Sequence, residues 1–76
     1  MSTVEIEFCL PCGYLNRAED VQHVILESLG ETIDEITLVP GDNGVFTVTV
    51  DQQKVFDIAD DDYNVDQIVR DVRNNT

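Results

Sequence analysis

The sequence predicts an α/β fold: a two-layer sandwich in the order β-α-β-β-β-α. Three observations carry that expectation. Short stretches alternate apolar and polar residues with period two. Two longer stretches repeat their apolar residues at three and four instead. Glycine, proline, asparagine and aspartate gather between them, where turns belong. With 76 residues, the chain fits a single small domain, residues 1–76, and its core leaves no room for a second.

The first strand is expected over Thr3 to Phe8. Val4, Ile6 and Phe8 face one way, and Thr3, Glu5 and Glu7 the other, as in a strand with one covered face. From about Gly13 to Leu29 the period changes. Leu15, Ala18, Val21 or Gln22, Ile25 and Leu29 form the stripe of an amphipathic helix. Gly30 is placed to end it as a left-handed C′ residue.

Ile36 to Val39 reads as the second strand and Pro40 to Gly44 as a turn. Val45 to Val50 alternates again. Asp51-Gln52-Gln53 is a short hairpin connection, and Lys54 to Ile58 the fourth strand. After a loop from Ala59 to Tyr63, Asn64 is a candidate N-cap with Gln67 at N3, a variant of the capping box. Val65, Ile68, Val69 and Val72 supply the stripe of a last helix. Asp66 near its start and Arg70 and Arg73 near its end suit the helix dipole.

The first strand, helix and second strand form a parallel crossover, and the next two strands an antiparallel hairpin. The result is a mixed four-stranded sheet. Glu5, Glu7, Thr37, Thr47, Thr49 and Asp57 line one solvated sheet face, so both helices pack on the other.

Sixteen acids face four strong bases, a net charge of −12. Nothing here could neutralise a phosphate backbone, so nucleic acid and anionic membrane are excluded as partners. The acids are dispersed and Lys54 is the sole lysine, which favours a halophile's cytosol. Concentrated salt would silence the repulsion, since the Debye length falls to about 3 Å at roughly 1 M. The competing reading is an acidic surface aimed at a basic partner. No apolar run reaches the roughly 18 residues that span a bilayer. The start of the chain lacks a signal peptide's basic and apolar segments. The expected location is the cytoplasm and the expected state a monomer.

The chemistry concentrates in Phe8-Cys9-Leu10-Pro11-Cys12-Gly13-Tyr14-Leu15, which holds both cysteines of the chain. As a structural staple the pair would close so short a loop that little unfolded-state entropy is removed. As a zinc clip it supplies two ligands where four are usual. His23 lies well down the helix, so a zinc site would have to be shared between two chains. No cofactor or metal is therefore expected. Redox work fits best. The motif sits at a strand-to-helix junction, Pro11 suits the first helical position, and a helix N-terminus stabilises thiolate. A second thiol three residues on can resolve a mixed disulfide. Glu7 and the net charge oppose thiolate formation. Arg17, Tyr14 and Tyr63 read as surface or packing residues, and Asp60-Asp61-Asp62 as a solvated loop.

Two stretches resemble the selenoprotein W-like (Rdx) family: Val4 to Tyr14, a strand running into CxxC and an aromatic, and Val39 to Asp51, a glycine turn followed by F-x-V-x-V. The resemblance implies a minimal thioredoxin-like fold and a thiol redox role for Cys9 and Cys12. The family's selenocysteine falls on the position of Cys12. Thioredoxin logic would make Cys9 the attacking thiol and Cys12 the resolver. Pro11, Tyr14 and Gly44 would rim the site. Gly44 and Val45 stand where thioredoxins place a cis-proline. The expected partners are protein thiols or disulfides, or a small thiol, with a non-enzymatic interaction module carrying a redox switch as the alternative.

Overall fold

The computed structural model describes residues 2–76. Its elements are β1 (Thr3–Cys9), α1 (Leu15–Leu29), β2 (Glu35–Gly41), β3 (Phe46–Val50), β4 (Gln53–Asp57) and α2 (Val65–Asn74), the expected order. The sheet runs β2-β1-β3-β4. β1 is parallel to β2 and antiparallel to β3, and β3 is antiparallel to β4.

Alternation decides the layers. Val4, Ile6 and Phe8 of β1, Phe46, Val48 and Val50 of β3 and Phe56 of β4 are buried. They join Ala18, Val21, Ile25 and Leu29 of α1 and Ile68, Val69 and Val72 of α2 in one core cluster. Burying each valine, leucine, isoleucine or phenylalanine side chain is worth about 1.5–3 kcal/mol. On the other face Glu5 stands between Thr37 and Thr49, and Thr47 between Glu7 and Asp57. All six are exposed or half-buried, so both helices cover the same side.

The boundaries differ from the expected ones in physically readable ways. α1 begins at Leu15, not Gly13, because Gly13 has φ +82° and cannot continue a helix. Leu15, expected on the buried stripe, is 39% exposed, and the stripe begins at Ala18. Gly30 keeps helical angles, φ −58° and ψ −27°, rather than the left-handed ones. The turn instead closes through the N–H groups of Thr32 and Ile33, which both donate to the Leu29 carbonyl (2.8 and 3.0 Å).

Pro40 and Gly41 belong to β2, opposite Phe8 and Cys9. β2 is an edge strand, where a missing N–H is tolerated. The turn shrinks to Asp42–Val45, with Asn43 (φ +60°) and Gly44 (φ +76°) left-handed. Between β3 and β4, Asp51 and Gln52 are both left-handed, as the tightest hairpin connection demands, and Gln53 already pairs with Val50. The Asn64 side chain caps α2 by accepting from the Gln67 N–H (3.1 Å). The reciprocal half of the capping box is not made, since the Gln67 amide donates to Asp71 (3.0 Å). Asp66 and Arg73 occupy the first and last turns as expected, while Arg70 lies further in. Among the described residues no helix is long and apolar enough to cross a membrane.

Candidate redox site

The site is built where β1 leaves the sheet. Its last residue, Cys9, is fully buried. The Cys9 N–H donates to the Val45 carbonyl (2.7 Å) and its own carbonyl accepts from the Tyr14 N–H (3.3 Å). The Leu10 N–H donates to the Gly41 carbonyl (3.2 Å), and the Gly13 N–H to the Leu10 carbonyl (3.2 Å). The loop Leu10–Tyr14 is thus tied to the end of β2 and the start of β3. A Cβ at Gly41 would lie 2.9 Å from both Glu7 Oε2 and Val45 Cγ1, so a larger residue there would push those side chains aside.

Cys9 and Cys12 are joined in a disulfide, with Cα atoms 5.3 Å apart, inside the normal span. Their surroundings differ. Cys9 is enclosed, whereas Cys12 is exposed, as are Leu10 and Pro11 beside it. The motif is not the helix start. Leu15 opens α1 three residues after Cys12, so Pro11 is a loop residue rather than the first helical one. A helix dipole acts mainly within its first turn, which weakens the thiolate stabilisation expected from it.

Beneath the loop lies an aromatic hub. Phe46, opposite Phe8 in the sheet, meets Tyr14 and Tyr63 edge-on at 5.8 Å each and Phe56 at 6.0 Å. The Arg17 guanidinium lies over both tyrosine rings, 5.1 Å from the centroid of Tyr14 and 4.8 Å from that of Tyr63. Burial pushes the Tyr63 phenol up, the charge of Asp20 adds to this, and Arg17 opposes it.

Of the residues expected at the site, Cys9, Pro11, Cys12 and Tyr14 share one loop. Gly44 stands in the turn whose Val45 carbonyl receives the Cys9 N–H. Among the described residues there is no cis peptide bond. His23 is exposed midway along α1 and pairs with Glu27. No three His, Cys, Asp or Glu side chains among the described residues converge into a metal site. Arg17 and Tyr63, expected from the sequence to be surface or packing residues, meet at the edge of this site. The spacing of Tyr14 and Arg17, three apart, was a usable signal, whereas Tyr63 arrives from a distant loop that no local pattern links to them.

The Rdx family model matches residues 3–74. A crystal structure of a protein from Bordetella parapertussis is similar over 99% of this chain and 98% of that one, with a TM-score of 0.90 and 25% identity. A crystal structure of a selenoprotein W-related protein from Vibrio cholerae is similar over 96% of this chain and 94% of that one, with a TM-score of 0.88 and 19% identity. At that identity the second likeness speaks for the fold. No curated protein matches the chain.

Proposed function

The chain belongs to the Rdx family, and from that premise we propose that it is a thiol–disulfide redox protein exchanging its Cys9–Cys12 pair with protein or small-molecule thiols. The carrying observation is the unequal burial of the two bonded cysteines. An incoming thiol or disulfide can reach Cys12, which is exposed, while Cys9 is fully buried.

Burial favours the reverse of the thioredoxin assignment. Acting as a reductant, the Cys12 thiolate attacks one sulfur of the substrate disulfide, and the other substrate sulfur leaves as a thiolate and takes a proton. The Cys9 thiolate then attacks the Cys12 sulfur. The second substrate thiolate leaves, and the Cys9–Cys12 disulfide forms. Two electrons pass to the substrate, and the reverse sequence oxidises a dithiol. The position that this family gives to selenocysteine is the exposed one, which agrees with Cys12 as the reacting group. Gly41 and the Asp42–Val45 turn hold the loop for this exchange without supplying a side chain to it.

Equilibration against dithiothreitol buffers of graded ratio tests the proposal. A reversible two-electron transition, absent from the variant with both Cys9→Ser and Cys12→Ser, is expected. A disulfide that cannot be reduced without unfolding, or partner binding unchanged by the double substitution, would favour a plain interaction module.

A further inference from the structure

Four strong bases serve this chain, and they are placed unequally. Lys54 is bound to Asp57 (2.7 Å). Arg70 and Arg73 belong to α2. Arg17 stands beside the redox loop, and it breaks a local rule. It lies in the first turn of α1, which contains no acid. There the dipole favours a negative side chain and opposes a positive one. In a chain with sixteen acids, a base at that position runs against both composition and dipole. Such local conflicts tend to mark function.

Its surroundings sharpen the point. Arg17 makes no ion pair among the described residues, although Asp20 is near enough to influence Tyr63. Its guanidinium is held over the rings of Tyr14 and Tyr63, and both rings rest on buried Phe46. Stacking leaves the N–H donors of a guanidinium able to take a carboxylate in a bidentate grip. Tyr14 connects this cation to the disulfide, because its backbone N–H is bonded to the Cys9 carbonyl (3.3 Å).

We propose that Arg17, steadied by Tyr14 and Tyr63, anchors a carboxylate carried by the thiol or disulfide that exchanges at Cys12. The inference rests on the redox reading above and names its substrate class: a thiol with an acid group near the sulfur. The acid could belong to a small molecule or to a residue beside a partner's cysteine. In the exchange, the substrate thiolate attacks the Cys12 sulfur and the electron pair of the broken S–S bond passes to Cys9, which takes a proton. A second substrate thiolate then attacks the first substrate's sulfur. It releases Cys12 as a thiol and leaves the substrate as its disulfide.

The test compares reduction rates of the oxidised protein by 3-mercaptopropionate, 2-mercaptoethanol and cysteamine, in wild type and in Arg17→Gln, at one KCl concentration. Comparing each probe with itself cancels its intrinsic reactivity. Arg17→Gln should slow the anionic thiol about fivefold relative to the neutral one, the effect of one charge pair near contact in water. It should leave or raise the rate with cysteamine, and Arg17→Lys should restore part of the loss. Capped cysteine peptides with aspartate or asparagine beside the cysteine form the second arm, and selectivity in either arm identifies the source. Equal slowing of all probes, or no change in any, overturns the proposal. If no thiol exchanges at all, the redox reading fails. The anchor is then judged by titrating the unreactive S-methyl derivative of 3-mercaptopropionate. Shifts of the Tyr14 and Tyr63 ring resonances that vanish in Arg17→Gln support it, and their absence in wild type overturns it.

Discussion

Cys9 and Cys12 are bonded to each other, yet one is wholly buried and the other open to solvent. The order of attack follows from that relationship. A Cys9→Ser variant should accumulate mixed disulfides through Cys12, because the resolving thiol is gone. A Cys12→Ser variant should trap little, because its remaining thiol is enclosed. Gel separation of trapped species without reductant, followed by mass spectrometry, reads the outcome. Stronger trapping by Cys12→Ser would return Cys9 to the attacking role.

Phe46 is both core and floor of the site. It is fully buried and touches three aromatic rings. Truncation to alanine should cost about 3–5 kcal/mol, a large share of the stability of a domain this small. Phe46→Leu keeps most of the volume but loses the edge-on pairs, and should cost about 2 kcal/mol. Urea unfolding measures the difference. A leucine variant as stable as wild type would show that the ring contacts contribute little.

The alkaline limb of stability has a predictable sign. The folded-state pKa of Tyr63 is raised, mainly by burial. Its contribution is therefore complete below the ordinary tyrosine value and is lost as pH rises through the higher folded value. Lys54, also held up by its bond to Asp57, titrates in the same window with the same sign. Unfolding midpoints between about pH 9 and 12 should fall less steeply in Tyr63→Phe and in Lys54→Met than in wild type. A slope unchanged in both variants would refute the assignment.

Sixteen acids on a small surface predict salt-dependent folding. Circular dichroism across a KCl series should show the fold loosening as salt is withdrawn, because the repulsion is then unscreened. An unfolding midpoint indifferent to salt would remove the halophilic explanation and leave the acidic surface to a basic partner.

Regular periodicity made the layers legible. Val4, Ile6 and Phe8 announced β1 and its buried face, and Ala18, Val21, Ile25 and Leu29 announced α1. The cysteine pair and its neighbours were legible as chemistry, since residue types and spacing carry that signal. What escaped was set by single backbone angles and by distant pairing. Nothing local shows that Gly13 turns left-handed and delays the helix, or that Pro40 lies opposite Phe8. The unequal burial of two cysteines three apart was equally hidden. Cys9 ends β1 and is bonded to Val45, a distant residue that only the sheet pairing brings to it, while Cys12 stands in the loop beyond.

The backbone bonds that hold the loop involve neither sulfur. The Cys9 and Leu10 amides are secured by the Val45 and Gly41 carbonyls, that of Gly13 by the Leu10 carbonyl and that of Tyr14 by the Cys9 carbonyl at the end of β1. Opening the disulfide should therefore release Cys12 without removing any of these backbone bonds. Amide protection at Cys9, Leu10, Gly13 and Tyr14 should be nearly the same in both redox states. With that outcome, oxidised and reduced protein present partners with almost one shape, distinguished chiefly by whether exposed Cys12 is free to react.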